Sequence, residues 1–394
     1  MKEGCMTQMT KESVKSWVPP IIRGMTSDGE TALVVTVLED VQAELQLPLH
    51  GAGPFEIEEL AASWRTRYSR FCAEHARYPR TIGLEGTSWS MGLGISYDEA
   101  VRTSGVSKDP AARADNSRGA IMKRKVSLVT GGAQGFGEGI VRSLVAEGGY
   151  VYIADLNTEG ARTLALQLNS QAGSTVAFSL AVNVTDEDSV RQMMDSVAST
   201  TGSLDLFVSN AGVLKAGSVK EMSLADFQFV TSVDYTGFFL CTKFAARQLA
   251  LQNIGSDHAY MTDIVAISSK SGLEGSNKNG AYAGAKFGTI GLTQSFALEL
   301  VTDNIKVNAI CPGNFLDGPL WSDPERGLFV QYLRAGKVPG ANTVADVRRA
   351  YESKVPLNRG CRTEDVVRAL CYIVEQKYET GQAVPVTGGQ VMLN

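Results

Sequence analysis

Ser268, Ser269, Tyr282 and Lys286 fall within one stretch, Val265 to Gly288, in which an apolar strand-like run gives way to a loop rich in glycine and asparagine and then to a helix-forming segment. These side chains can pass a proton. Tyrosine, with an ordinary pKa of about 10, is a weak acid near neutrality. Lys286 follows Tyr282 by four residues, which puts both on one face of a helix, where an ammonium favours the phenolate. Ser269 can then hold the oxygen that gains or loses the proton. Reducing a ketone with a hydride needs such a group, and so does the reverse reaction. An exposed helix pair and two strand-end serines would look the same in isolation, so the reading requires a hydride source on the same framework.

A glycine-rich run upstream supplies the place for one. KVSLVT leads into TGGAQGFGEGI, with Gly131, Gly135 and Gly137 spaced GxxxGxG, Gln134 and Phe136 between and beside them, and a helix expected from about Phe136. Glycines there let backbone turn sharply and approach a pyrophosphate, whose charge meets free N–H groups at the helix start. The next strand ends at Asp155, 20 residues after Gly135, where a carboxylate can accept hydrogen bonds from the adenosine ribose and repel a 2'-phosphate. NAD is therefore the expected cofactor. Asn210, Ala211 and Gly212 follow a later strand and let backbone pass beside the dinucleotide. Asn183 and Val184 are candidates for its adenine end.

These residues need a scaffold, and the alternation beyond Met122 describes it. KVSLVT, YVYIAD, TVAFSLAV, LDLFVSN, DIVAISS, IKVNAICP and AVPVTGG are short, apolar and separated by amphipathic segments of helical length. That pattern predicts an α/β fold with a doubly wound parallel sheet, its ligand at the carboxyl ends of the strands. Residues 1 to about 120 read as a smaller α+β extension: a strand in Thr31–Val41, a helix in Glu56–Ala76, two strand-like pieces after Pro79, and a brief helix capped by Asp98. The polar run from Ser107 to about residue 120 reads as a linker, with the catalytic domain over 123–394. With 394 residues and a net charge of -5, the chain can bury a full core and offers no basic field for nucleic acid. No apolar run is long enough to span a membrane. The six cysteines are scattered without a CxxC pair and the N-terminus carries no secretory core, so a cytoplasmic location is expected. The three histidines are isolated, and no metal is expected.

From about Lys123 onward the chain resembles the short-chain dehydrogenase/reductases. The resemblance rests on the TGxxxGxG loop, Asn210–Gly212, a serine 13 residues before the YxxxK pair of Tyr282 and Lys286, and Pro312–Gly313 after the sixth strand. It implies a Rossmann-type fold, nicotinamide binding with Pro312 and Gly313 at the cofactor, Tyr282 as acid/base, Lys286 also at the nicotinamide ribose, and Ser269 orienting the carbonyl. Two positions depart from the family pattern: Asp234, in VDYTG, replaces an asparagine, and Asn183 replaces an acidic residue. A carboxylate at 234 can still position a relay water, while its charge acts on Tyr282 and Lys286.

Within the family, SSKSGLEGSNKNGAYAGAKFG, the PGN containing Asn314, KVPLNRGC and TGQAVPVTGGQVM resemble the branch that interconverts sorbitol 6-phosphate and fructose 6-phosphate. That implies a sugar phosphate substrate; Lys270 or Lys278 is the expected phosphate partner, with Asn314 a further substrate candidate. Gly313–Gly340 is too long for a turn and is expected to form a helical substrate lid. Another polyol or secondary alcohol, or an NAD-sensing regulator without turnover, are the other readings. The family's habit implies a homotetramer or homodimer. HARYPRTIGLEGTSWSMGLGISYDEA resembles the connecting region of class II aldolase/short-chain dehydrogenase fusions, and the extension is expected to be non-catalytic.

Overall fold

The structure is a computed structural model that describes residues 14–49, 57–102, 121–325, 327–334, 336 and 338–392. The expected linker up to residue 120 lies outside the described residues.

The larger part of the chain winds around a parallel sheet. In chain order its elements are β5 (Val126–Thr130), α4 (Gly135–Ala146), β6 (Tyr150–Asp155), α5 (Thr158–Ala172), β7 (Ala177–Ala181), α6 (Glu187–Thr201), β8 (Leu206–Ser209), α7 (Leu224–Thr231), α8 (Gly237–Gly255), β9 (Thr262–Ile267), α9 (Gly280–Leu300), β10 (Ile305–Pro312), α10 (Pro319–Ser322), α11 (Leu328–Arg334), α12 (Val344–Glu352), α13 (Thr363–Glu375) and β11 (Ala383–Val386). The seven strands lie in the order β11-β10-β9-β8-β5-β6-β7, and every pairing is parallel. All seven strands read from the sequence are present. Their near-continuous apolar composition is explained by burial on both faces. Ile140, Val141 and Leu144 of α4, Leu164 of α5 and Leu370 of α13 cover one face. Val190 and Val197 of α6, Phe238 and Leu249 of α8 and Leu300 of α9 cover the other. The chain changes direction between β5 and β8, and the crevice at the carboxyl ends there is where such sheets bind ligands.

Residues before this sheet form α1 (Val14–Met25), β1 (Val34–Glu39), β2 (Leu45–Leu47), α2 (Ile57–His75), β3 (Thr81–Leu84), β4 (Trp89–Gly94) and α3 (Tyr97–Val101), with a sheet in the order β1-β4-β3-β2. Two elements were not expected from the sequence. Pro19 and Pro20 disguise α1, which holds its shape because Trp17, Val18, Ile21 and Ile22 bury an apolar face. Strand β2 has only three residues; apolar and polar side chains alternate over Val41–Leu47, but the expected strand ended at Val41. The brief helix α3 is capped by the Ser96 side chain, which accepts from the Glu99 amide; Asp98, expected as the cap, lies inside its first turn.

The small sheet is not held at arm's length. Helix α1 crosses α8 at backbone contact: a Cβ on Gly24 would lie 1.8 Å from the Gln252 carbonyl oxygen, and one on Gly255 would lie 2.2 Å from that of Ile21. At this junction Arg23 donates to Asp205 Oδ2 at 2.6 Å and to the Leu33 carbonyl at 2.7 Å. The same Oδ2 accepts the Val126 amide at 2.6 Å, while Oδ1 accepts from the Tyr260 hydroxyl at 2.7 Å and from Gln252 Nε2 at 3.3 Å. Arg23 and Asp205 are buried.

The segment after β10 forms a small core of its own, with Leu316, Trp321, Phe329 and Val347 buried and Tyr332 and Tyr351 packed against them. Helices are present as expected, but the unit runs past residue 340, because Val347 and Tyr351 of α12 complete its apolar interior.

Removing one member of a buried ion pair leaves the other charge without compensation. Arg23→Met should lower unfolding free energy by about 3–5 kcal/mol in denaturant titration, and Arg23→Met with Asp205→Asn should recover part of that loss.

Candidate active site

The glycine loop is a cradle built by close backbone approach. Gly131 has φ +63° and Gly135 φ +61°, conformations that suit glycine. A Cβ on Gly137 would lie 2.0 Å from the Gly131 carbonyl oxygen, so α4 starts hard against the loop that precedes it. Asn210 Nδ2 donates to the carbonyls of Thr130 at 3.0 Å and Gly131 at 3.1 Å. Thr130 Oγ1 in turn accepts the amides of Asn210 and Ala211, both at 3.1 Å. The Asn210 side chain and the amides of Asn210 and Ala211 therefore brace the cradle. Gln134 precedes α4 without a side-chain capping bond, so the helix's first amides are left for an anion.

Asp155 ends β6 beside this loop. Its Oδ2 accepts the Ala133 amide at 2.9 Å and its Oδ1 the Asn157 amide at 2.8 Å, which fixes the carboxylate next to the cradle. The helix cap that Asp155 could have supplied is made by Asn157, whose side chain accepts from the Gly160 amide. Asn183 is exposed, with its Oδ1 taken by the Thr185 amide and hydroxyl. Val184 turns into the core, where it meets Gly237, so only its backbone can face an adenine. These features fit a dinucleotide: a Cβ-free cradle at a helix N-terminus, with a fixed carboxylate one strand away.

The two serines separate in role. Ser268 is buried and donates to the Lys286 carbonyl at 3.1 Å. Ser269 is half-buried at the end of β9, and its Oγ accepts the Ser271 amide at 3.1 Å, an arrangement that aims the hydroxyl hydrogen elsewhere. Only Ser269 is placed to meet a substrate.

Tyr282 and Lys286 share a face of α9, with Lys286 Nζ 5.5 Å from the centre of the Tyr282 ring. Lys286 is 5% exposed and donates to the Ile267 carbonyl at 3.1 Å. Asp234 Oδ2 lies 3.6 Å from the same ammonium. Asp234 itself is 3% exposed and sits in a π-helical turn, Ser232–Thr236, between α7 and α8. That turn is pinned from both sides: Asp234 Oδ1 accepts the Val213 amide at 2.7 Å, and its carbonyl accepts from Thr289 Oγ1 at 3.2 Å. Burial pushes the Asp234 carboxyl above the usual range, opposed by Lys286 and the Val213 amide. Burial alone would lower Lys286, but Asp234 and then Tyr282 outweigh it and hold the ammonium above the ordinary lysine value. Cys311, near Lys286, is pushed up to about 11 by burial and stays a thiol.

Pro312 closes β10, and the Gly313 amide donates to the Val386 carbonyl at 2.9 Å. The Asn314 carbonyl accepts the Cys361 amide at 2.9 Å, anchoring the start of the segment after β10. Lys270 pairs with Glu274 at 3.4 Å. Lys278 is exposed, has φ +55°, and accepts the Gly217 amide at its carbonyl at 2.8 Å, which ties its loop to the segment after β8. Among the described residues Lys278 has no carboxylate partner. Sequence reasoning missed Thr130, whose hydroxyl braces the cradle, and Phe315, whose ring meets Phe136. Thr130 is the threonine of the TGxxxGxG loop, so the motif could have pointed to it, whereas no spacing announces Phe315.

A family model described as short chain dehydrogenase matches residues 125–323. The chain is 36% identical over 271 residues to sorbitol-6-phosphate 2-dehydrogenase of Escherichia coli, covering 68% of this chain and 99% of that one. Among solved structures it is similar to sorbitol-6-phosphate 2-dehydrogenase SrlD from Erwinia amylovora, with 37% identity, a TM-score of 0.62, and coverage of 68% and 100%. It is also similar to an actinorhodin polyketide ketoreductase variant with NADPH, at 27% identity, a TM-score of 0.58, and coverage of 68% and 97%.

Since a methyl group on Gly137 collides with the cradle backbone, Gly137→Ala should weaken dinucleotide binding on the order of 10-fold or more while leaving the far-ultraviolet circular dichroism unchanged. Titration of NADH fluorescence measures this.

Proposed function

This chain belongs to the short-chain dehydrogenase/reductase family, and we propose that it uses NAD to interconvert a sugar alcohol phosphate and a ketose phosphate, most specifically sorbitol 6-phosphate and fructose 6-phosphate. The observation that carries the reading is the buried Lys286 ammonium beside Tyr282 on α9, on the same sheet edge as the glycine cradle. When bound, the nicotinamide supplies or accepts the hydride.

The chain's own residues handle the rest. Tyr282 gives a proton to the carbonyl oxygen during reduction and removes it from the hydroxyl during oxidation. Lys286 keeps a positive charge beside the phenol, and its position is fixed by the Ile267 carbonyl. Ser269 donates a hydrogen bond to the reacting oxygen, its own lone pair already engaged by the Ser271 amide. Asp155 supports the choice of NAD, since a fixed carboxylate repels a 2'-phosphate and neither Thr130–Glu138 nor Leu156–Ala161 contains a lysine or arginine to receive one. Lys278 is the better of the two phosphate candidates, because Lys270 already has Glu274 as partner. The lid formed by α10–α12 would cover the substrate, and assembly as a homotetramer or homodimer in the cytoplasm remains part of the proposal.

Following NADH absorbance with fructose 6-phosphate, fructose and other sugar phosphates tests the reading. Turnover should favour fructose 6-phosphate and NADH over NADPH, and Tyr282→Phe should lower kcat by about 10²–10⁴-fold. Wild-type rates in that variant, or indifference to the phosphate, would refute it.

Asp234 partly cancels the Lys286 charge. Asp234→Asn removes that negative charge, so the site gains net positive character and stabilises an anion at lower pH. The acid limb of the kcat/KM profile for alcohol oxidation should move down by about one pH unit. An unmoved limb would mean that Asp234 carries no charge during turnover.

A further inference from the structure

Phe136 and Phe315 stack with ring centroids 4.3 Å apart and planes 18° from parallel. The two residues come from distant parts of the sheet. Phe136 is the second residue of α4, after β5; Phe315 follows β10 and opens the lid segment. Strands β9 and β8 lie between β10 and β5, so the carboxyl ends that carry the two aromatics are about 14 Å apart at ordinary strand spacing. The rings therefore meet across the ends of β8 and β9, whose following segments hold Asn210–Gly212 and Ser269. The N-terminus of α4 is the place for the pyrophosphate, which puts the stack over the path between the cofactor cradle and the proton-handling residues.

Both sides of the stack have firm bases. A Cβ on Gly318 would lie 2.5 Å from the Phe315 ring, so the lid's first turn has a glycine where the ring settles. Leu316 is fully buried, and Asn314 is bonded to Cys361. Phe136 is carried by a helix that Gly137 presses against Gly131. The lid has its own apolar interior, so it can shift as a unit when the stack parts.

We propose that the Phe136–Phe315 stack is a clasp joining the lid to the cofactor loop, and that the dinucleotide is released only when it opens. Phe315 is thus a positioning residue that acts through Phe136. The inference rests on the cofactor reading above.

The test is NADH release, followed by stopped-flow fluorescence after mixing the NADH complex with excess NAD. Phe136→Ala and Phe315→Ala should each speed release by about 3- to 10-fold, the range expected for losing an aromatic pair, and the double variant should be no faster than the faster single one. Thermal unfolding of each variant checks that the fold is retained. Unchanged release in both single variants would overturn the clasp, as would effects that multiply in the double variant. Slower release or tighter binding after truncation would show that the rings obstruct the cofactor, and would also overturn it. If the wild-type protein does not bind NADH saturably, the cofactor reading fails and the clasp falls with it; saturable binding with unaltered release rates rejects the clasp alone.

Discussion

Asp205 is the carboxylate on which the two parts of this protein depend. It is buried, and its oxygens serve Arg23 of α1, the first amide of β5, the Tyr260 hydroxyl and Gln252 of α8. A charge so far from water is tolerable only with an opposite charge and enough donors, and each of those comes from a different element. The N-terminal helix thereby becomes part of the main domain's electrostatic balance. Strand β5, which delivers the cofactor loop, is held at its start by the same oxygen that holds Arg23.

A second buried charge lies in the candidate active site. Lys286 can remain an ammonium inside the protein because Asp234 stands beside it and the Ile267 carbonyl accepts a hydrogen bond from it. The π-helical turn that carries Asp234 brings the carboxylate inward, where its Oδ1 accepts the Val213 amide, while the Asp234 backbone carbonyl accepts from Thr289 Oγ1. The site is thus more nearly neutral than a lysine and tyrosine alone would make it, and the difference lies in a single side chain. The two arrangements, at Asp205 and at Asp234, follow the same rule. Each buried carboxylate is stabilised by a cation supplied from a separate element, so that folding and the site's charge are linked.

Much of this was legible beforehand because it rests on local rules. Seven apolar runs with helical segments between them specify a parallel sheet, since both faces of each strand must be covered. Glycines at 131, 135 and 137 mark backbone that must turn or approach closely, and the distances found for a Cβ at 137 give the reason. Helix α1 was hidden by its two prolines, which act locally as breakers; only burial against α8 makes them acceptable. The small helical core after β10 reaches past residue 340 because Val347 and Tyr351 join it through contacts that cross a loop, and periodicity does not report such contacts.

The sequence by itself determined the strand order of events along the chain, the cofactor cradle and the pairing of Tyr282 with Lys286, because a four-residue helical spacing and a strand–glycine–helix junction are short-range geometry. Tertiary structure alone decided that Asn210 braces the cradle, that the Asp234 carboxylate comes to 3.6 Å from the Lys286 ammonium, and that Phe136 meets Phe315. Each of those pairs residues far apart in the chain, and the contact exists only once the sheet brings the carboxyl ends of its strands to one edge.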